Sequence, residues 1–147
     1  MRKISIMQHR DLVQICEDFG SPVYVYDTQI ITQQYNRLTQ AFSAIPKLRV
    51  NYAVKALSNL SVLKWIHHLG AGLDTVSIQE VQLGLAAGVP PKDIIYTPNG
   101  VSLSEIEEVA KLGVQINIDN LSVLEQFGTA NPDIPVCIRV NPHIMAG

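Results

Sequence analysis

Apolar residues recur at helical spacing in two segments near the start of the chain. The first apolar face lies within residues 1–20, which predicts a helix that stops at Gly20. The segment SPVYVYD, residues 21–27, is rich in β-forming residues and follows a turn signal, so it predicts a short strand. A second helix is predicted over TQIITQQYNRLTQAFSA, with Asp27 or Thr28 as its N-cap.

From residue 49 onward, apolar runs typical of strands alternate with segments of helical periodicity. The five strand segments are LRVNYAVKA, GLDTVS, DIIYTPN, VQINID and PVCIRVNP. The four helical segments between them are NLSVLKWIHHLG, SIQEVQLGLAAG, SLSEIEEVAKLG and NLSVLEQFG. Asn or Ser begins these helices, three of them end at a glycine just before the next strand, and SLSE has the spacing of a capping box between Ser102 and Glu105.

A strand followed by a helix, repeated along the chain, is the βα unit of a parallel sheet. A doubly wound sheet normally carries a glycine-rich phosphate loop after its first strand, but here the segment VKALSNLS contains no glycine. A (β/α)8 barrel needs no such loop there and places active-site residues at the carboxyl ends of several strands. The prediction is an α/β fold, either an open sheet or about five-eighths of a barrel. Residues 1–48 would lead into the repeat, and residues 49–147 would form it.

Lys55 stands at the end of the first predicted strand, where a buried lysine is costly unless it is paired or neutralised. In a dry, partly apolar pocket a lysine amine loses proton affinity and becomes a nucleophile. Such an amine forms Schiff bases with carbonyls, including the aldehyde of pyridoxal phosphate. The alternative is a lysine whose ammonium group reaches water at the barrel mouth. The nucleophile is the preferred interpretation of Lys55.

Other predicted strand ends also carry polar residues. Asp74 in the second strand and Arg139 in the fifth are candidates for the same site, and an ion pair between them would suit a functional or a structural role. The remaining residues are expected to be helix caps or turn residues: Ser77, Asn99, Asp119 and Asn141. His67 and His68 within a helix, and His143 after a turn, are weak candidates for chemistry.

The composition narrows the classes of function. The 147 residues are 47% hydrophobic and 16% charged with a formal net charge of −2, so no basic patch predicts a nucleic-acid partner. The sequence contains no signal-peptide pattern and no stretch apolar enough to span a membrane, which predicts a soluble cytoplasmic protein. Cys16 and Cys137 fit no metal spacing and are expected to be buried thiols in a reducing compartment. No metal site is predicted.

Several motifs, in order along the chain, resemble those of the fold-type III pyridoxal-phosphate decarboxylases. They are SPVYVYD, YAVKA, GLDTVSIQEVQLGLAAGV, IIYTPN, EIEEVAKLGVQINIDN and CIRVNP. Each motif is short, but the ordered set is specific, and within this family it is most similar to the diaminopimelate decarboxylases. The resemblance implies part of an alanine-racemase-like (β/α)8 barrel and a C-terminal β-domain to which the SPVYVYD strand adds.

The resemblance also implies roles for three residues. Lys55 matches the family lysine that binds pyridoxal phosphate covalently, Asp74 matches an aspartate near that lysine, and Arg139 matches an arginine beside the cofactor. The implied activity is decarboxylation of an amino acid, with meso-diaminopimelate giving L-lysine and CO2. The implied partners are a small amino-acid substrate and a second copy of the chain, because relatives are dimers.

The chain also departs from the family pattern. Ile78 and Gln79 stand where relatives commonly carry a glycine pair, and ALSNLS lacks the Tyr-Gly-His-Gly run of alanine racemases, which argues against a racemase. The family's phosphate loop, its acidic partner for the pyridine nitrogen and its catalytic cysteine come after the matched motifs, so little activity is expected of this chain alone. The alternatives are a related ornithine or arginine decarboxylase and a non-catalytic, truncated relative that binds a partner.

Overall fold

A computed structural model describes residues 9–142, which divide into two compact units at Arg49. The N-terminal unit contains the helices α1 (His9–Phe19) and α2 (Thr28–Ala41). The Asp27 carboxylate accepts hydrogen bonds from the backbone N–H groups of Gln29 and Ile30, at 2.8 and 3.3 Å. Of the two predicted candidates, these bonds identify Asp27 rather than Thr28 as the N-cap of α2. Both predicted helices are confirmed over the described residues.

The segment at residues 21–27 forms no strand, so the prediction of an N-terminal strand was wrong. A strand exists where its backbone pairs with another strand, and no described strand pairs with this segment. The side chains of residues 21–26 are exposed to solvent, and Tyr24 is 88% exposed. The segment therefore has a composition of high β-propensity but no partner strand to pair with.

The second unit contains one parallel sheet whose strands lie in sequence order. The strands are β1 (Asn51–Ala53), β2 (Gly72–Thr75), β3 (Ile94–Tyr96), β4 (Gln115–Ile118) and β5 (Val136–Ile138). A doubly wound sheet reverses its strand order at a switch point, whereas a (β/α) barrel adds each new strand on the same side. The observed order confirms an α/β fold with five βα strands and excludes the doubly wound alternative for the described residues.

Helices follow β1 to β4 along the chain. They are α3 (Leu60–His68), α4 (Ile78–Ala86), α5 (Leu103–Ala110) and α6 (Leu121–Ala130). Each begins after an N-cap side chain that accepts a backbone N–H, and the four caps are Asn59, Ser77, Ser102 and Asn120. Glycines of positive φ follow α3, α4 and α5 as predicted, whereas Gly128 lies inside α6 and that helix ends only at Ala130.

The predicted capping box of α5 is only half formed. Ser102 Oγ accepts the Glu105 N–H at 3.2 Å, but the Glu105 carboxylate turns away from the helix start. Its Oε1 accepts the Tyr96 hydroxyl at 2.8 Å and the Ile78 N–H at 3.1 Å, which links α5 to β3 and to the start of α4. Burial of Tyr96, reinforced by this hydrogen bond and by the charge of Glu105, raises the pKa of the Tyr96 phenol well above its usual value.

Along each strand the side chains alternate between the two faces of the sheet, one covered by the helices and one facing away from them. Side chains on the covered face form the core, together with residues of the helices, and the largest fully buried ones are Tyr96, Phe127, Leu63, Leu73, Ile94 and Ile116. The other face, called the inner face below, carries the residues of opposite parity. These include Asn51, Asp74, Thr97 and Asn117, all of intermediate burial.

The first strand is shorter than predicted. β1 ends at Ala53, and Val54–Ala56 form a 3-10 turn in which the Leu57 N–H donates to the Val54 carbonyl at 3.0 Å. Val54 is fully buried and anchors this turn in the core. Lys55 therefore follows the strand and lies in a turn, rather than in the strand's last extended position.

Both cysteines are free thiols, but both are exposed, so the expectation of buried thiols was wrong. Cys16 lies on α1, where none of the residues 11–19 is buried. Cys137 lies on the inner face of β5, at an edge of the sheet that the described residues leave open.

Candidate active site

A cavity of about 580 Å³ lies on the inner face, toward the carboxyl ends of the strands. It is lined by residues from all five strands or from the segments that follow them: Asn51, Lys55, Asp74, Val76, Ile95, Thr97, Asn99, Asn117 and Arg139. In (β/α) barrels, active sites are built at this end of the strands. The three predicted site residues Lys55, Asp74 and Arg139 thus line one cavity.

Lys55 joins the cavity from the 3-10 turn after β1, and its side chain is exposed. The dry pocket expected around Lys55 is therefore not formed by the described residues. None of the carboxylates in the described part of the chain forms an ion pair with its amine. The amine is consequently accessible to a carbonyl compound that approaches from solvent.

Asp74 lies in β2 and is half-buried, and its Oδ1 accepts a hydrogen bond of 3.0 Å from Thr97 Oγ1. Thr97 directly follows β3, and its Oγ1 in turn accepts a hydrogen bond of 3.0 Å from Asn117 Nδ2 on β4. Three successive strands thus contribute one hydrogen-bonded chain across the inner face. Neutral neighbours, rather than an ion pair, orient the Asp74 carboxylate.

Arg139 directly follows β5, and its backbone N–H donates to the Ile118 carbonyl at 2.8 Å. Its guanidinium Nη1 lies 3.8 Å from Asp119 Oδ2, and both side chains are partly exposed. The suggested pairing of Arg139 with Asp74 was therefore wrong. Asp119 follows the adjacent strand β4, whereas Asp74 lies three strands away, roughly 14 Å at normal strand spacing.

Sequence reasoning missed Thr97 and Asn117, although β4 contains a signal for them. Polar Gln115 and Asn117 alternate there with Ile116 and Ile118, which are buried. Because side chains alternate between faces, this pattern predicts a polar inner face. The partner of each polar side chain could not be deduced, since it depends on which strand lies alongside and in which register.

The four residues expected to be caps or turns behave differently from one another. Ser77 caps α4 through its Oγ, which accepts the Glu80 N–H at 3.3 Å, as expected. Asn99 lies in the turn before α5 but also lines the cavity. Asp119 makes the ion pair with Arg139, and the neighbouring Asn120 is the cap of α6. Asn141 is exposed after β5.

The side chains of His67 and His68 contact neighbouring parts of the fold. His67 Nδ1 lies 3.2 Å from the carbonyl oxygen of Ala71, and the ring of His68 packs on Trp65 with centroids 5.7 Å apart. Neither lines the cavity. His143 lies outside the described residues. The histidines with a described environment therefore add nothing to the candidate site.

Residues 28–147 match a family model described as "Pyridoxal-dependent decarboxylase, pyridoxal binding domain". The chain belongs to the pyridoxal-dependent decarboxylases. The match spans both α2 and the whole βα repeat, including the turn with Lys55. Pyridoxal phosphate as the cofactor of this family agrees with the cofactor prediction.

Known decarboxylases resemble the chain in sequence and in structure. The diaminopimelate decarboxylase of Methanothermobacter thermautotrophicus is 37% identical over 139 residues, which are 93% of this chain and 32% of that protein. The crystal structure of diaminopimelate decarboxylase from Helicobacter pylori complexed with L-lysine has a TM-score of 0.79 and 34% identity, over 93% of this chain and 35% of that one. The crystal structure of lysine/ornithine decarboxylase complexed with putrescine, from Vibrio vulnificus, has a TM-score of 0.79 and 29% identity, over 89% and 36%.

These comparisons confirm the resemblance to the diaminopimelate decarboxylases. The chain spans about a third of the length of the relatives that it matches. Within residues 9–142, no helix is long and apolar enough to cross a membrane. The same residues contain no cluster of three or more His, Cys, Asp or Glu side chains that could hold a metal ion.

Proposed function

We propose that this chain is the N-terminal part of a pyridoxal-phosphate-dependent amino-acid decarboxylase that converts meso-diaminopimelate to L-lysine and CO2. The observation that carries the proposal is the place of Lys55, in a cavity at the carboxyl ends of the strands of a pyridoxal-binding domain. The substrate is proposed from diaminopimelate decarboxylases that are 35% to 37% identical to the chain.

The residues of the cavity fit this cofactor. The cavity volume of about 580 Å³ suits a small-molecule site. Pyridoxal phosphate presents an aldehyde, polar ring substituents and a phosphate. The cavity offers the Lys55 amine, the Asp74 carboxylate and the Arg139 guanidinium. Amines bond to aldehydes, and guanidinium groups bind anionic oxygens, so the chemistry of these side chains matches the cofactor.

Each of the three residues has a distinct proposed role. Lys55 would hold the cofactor through a bond between Nζ and the aldehyde carbon, with release of water. Arg139 would donate hydrogen bonds to an anionic group of the bound molecule, and Asp74 would accept one from an N–H or O–H group. The bound cofactor supplies a sink for the electron pair that remains when the carboxylate leaves as CO2 and a proton takes its place.

Covalent trapping tests the role of Lys55. The chain is incubated with pyridoxal phosphate, reduced with borohydride and analysed by peptide mass spectrometry. Lys64, an exposed residue of α3 outside the cavity, is the internal reference. We expect the label to favour Lys55 over Lys64, and Lys55→Ala to remove only the favoured label. Equal labelling of the two lysines would count against the proposed site.

We further propose that residues 49–147 form the first part of the cofactor-binding barrel and that residues 1–48 lead into it. Five strands leave the inner face open to water, and exclusion of water is a common requirement of active sites. We therefore expect the 147-residue chain alone to release little or no CO2 from meso-diaminopimelate. Turnover comparable to that of a full-length relative, measured by CO2 release, would contradict this expectation.

A second candidate substrate class is ornithine or arginine. It is favoured by the similarity to the lysine/ornithine decarboxylase of Vibrio vulnificus. A substrate amine competes with Lys55 for the same aldehyde carbon, so adding substrate before borohydride should lower the label on Lys55. A larger decrease with L-ornithine or L-arginine than with meso-diaminopimelate would favour the second class.

We also propose that the chain self-associates through the open edge of the sheet. Ile138 on β5 and the following Val140 are 58% and 78% exposed, beside an edge that no described strand covers. The same edge supports the alternative of a non-catalytic interaction domain. We expect light scattering to show a dimer or larger species and Ile138→Lys to reduce it. A monomer at all accessible concentrations would contradict self-association.

We propose a cytoplasmic location for the protein. Two free, exposed thiols are suited to a reducing compartment. Recovery of the natural protein in a secreted or periplasmic fraction would contradict this proposal.

A further inference from the structure

The inner face carries polar side chains where most (β/α) barrels carry bulky apolar ones. Asp74, Thr97 and Asn117 come from three successive strands or their ends, and all three line the cavity that contains Lys55. Each is half-buried, and each is hydrogen-bonded to the next at 3.0 Å. A row of half-buried polar groups costs stability unless the groups satisfy one another, so this arrangement needs an explanation.

The hydrogen bonds in this row have one direction. The Thr97 hydroxyl has a single proton, which it donates to Asp74 Oδ1, and its oxygen accepts from Asn117 Nδ2. The orientation of the Asn117 amide is supported by Gln115, whose Nε2 lies 3.5 Å from Asn117 Oδ1. Every donor in the row therefore points toward Asp74, and the carboxylate is its final acceptor.

The second oxygen of Asp74 is left for another partner. No described residue donates a hydrogen bond to Oδ2, and no ion pair joins Asp74 to Lys55, although both line the same cavity. The row therefore occupies one oxygen of the carboxylate and leaves the other for a molecule bound in the cavity that Asp74 shares with Lys55.

We propose that Thr97 and Asn117 are positioning residues that hold the Asp74 carboxylate for the molecule bound at Lys55. The inference rests on the proposed function, because it requires a carbonyl compound at Lys55. When an amine condenses with an aldehyde, the nitrogen loses two protons and forms a double bond to the carbonyl carbon, and the carbonyl oxygen takes up two protons and leaves as water. A carboxylate within reach of the reacting atoms can accept each proton from the nitrogen and pass it to the oxygen. Loss of its orientation should slow the condensation.

Two substitutions at Thr97 separate positioning from a structural role. Thr97→Val keeps the branched shape and removes the hydroxyl, whereas Thr97→Ser keeps the hydroxyl. The measurement is the rate at which pyridoxal phosphate and borohydride label Lys55, divided by the rate for Lys64 in the same sample. We expect Thr97→Val to lower this ratio about five- to tenfold and Thr97→Ser to stay within about twofold of wild type. Thermal melts of both variants are recorded alongside.

The second link of the row provides an independent variant. Asn117→Ala removes the donor to Thr97 without changing the hydroxyl that contacts Asp74, so we expect a smaller decrease of about two- to threefold. If Thr97→Val fails to fold, Asn117→Ala decides the question. A ratio equal to wild type in that variant would then overturn the inference.

The outcomes distinguish this inference from the function on which it rests. Preferential labelling of Lys55 in wild type with an unchanged ratio in Thr97→Val overturns the positioning role and leaves the proposed function standing. Equal decreases in Thr97→Val and Thr97→Ser also overturn it, because the hydroxyl would then not be responsible. Absence of preferential labelling in wild type removes Lys55 from the proposed function and this inference with it.

Discussion

Replacing Tyr96 with phenylalanine removes one hydroxyl from the core of the second unit. Tyr96 is fully buried, and its hydroxyl donates to Glu105 Oε1 at 2.8 Å. The same oxygen accepts the Ile78 N–H at 3.1 Å, so Glu105 joins β3 to the starts of α4 and α5. A hydrogen bond to a charged group contributes about 1.5–3 kcal/mol. We therefore expect Tyr96→Phe to lower the free energy of unfolding by about 2 kcal/mol.

The same substitution should change how stability depends on pH. The pKa of Tyr96 in the folded chain is raised above 10.0, first by burial and then by Glu105. Above about pH 10 the unfolded chain therefore loses the tyrosine proton while the folded chain keeps it. The contribution of Tyr96 is complete below that pH and falls above it, by about 1.4 kcal/mol per pH unit. Tyr96→Phe should remove this part of the alkaline decline.

Urea unfolding followed by circular dichroism, at pH 7 and at several values from pH 9 to about 11, measures both effects. Tyr26→Phe is the matched control, because Tyr26 is 47% exposed and should change the free energy by less than about 0.5 kcal/mol. A double-mutant cycle with Glu105→Gln isolates the pair. The reasoning is refuted if Tyr96→Phe matches the Tyr26 control at pH 7, or if it keeps the wild-type slope above pH 10.

Three further predictions concern packing, capping and surface charge, and the same urea assay tests them. An alanine Cβ at Gly84 would come within 2.8 and 3.1 Å of two core side chains but would meet nothing within 4 Å at Gly128. Gly84→Ala should therefore be about 1–3 kcal/mol less stable than Gly128→Ala, and equal stabilities would contradict the close packing of α4 on the sheet. Asn59 caps α3, so Asn59→Ala should lower the free energy of unfolding by about 1 kcal/mol and Asn59→Asp by much less. Equal stabilities of Asn59→Ala and wild type would contradict a stabilising cap. Arg49→Gln breaks a partly exposed 3.0 Å ion pair with Asp93, so it should cost less than about 1 kcal/mol. A loss of more than about 1 kcal/mol that persists at about 1 M salt would contradict a weak, screened ion pair between Arg49 and Asp93.

Helices and their starts could be predicted because they depend on neighbours in sequence. Asp27, Asn59 and Asn120 cap helices through N–H groups two or three residues away, so a local pattern contains all the information needed. The capping box at Glu105 failed for the opposite reason. The Glu105 carboxylate accepts hydrogen bonds from the Tyr96 hydroxyl and the Ile78 N–H, and only tertiary packing brings these partners close.

Strands were less predictable than helices. Apolar and polar alternation found all five strands of the sheet but extended each beyond its paired residues. At residues 21–27 strand-like composition produced no strand at all. A strand requires hydrogen bonds to another segment, and the presence of that segment cannot be deduced from the strand's own composition.

The βα repeat, the helix caps and the position of Lys55 near the end of the first strand follow from the sequence alone, and its ordered motifs identified the family. Tertiary structure alone decided that the strands lie in sequence order and that the carboxylate of Asp74 is held by Thr97 rather than by Arg139. The physical reason is the range of the interactions. Periodicity and capping act over a few residues, whereas the partner of an inner-face side chain depends on which strand lies beside it and in which register.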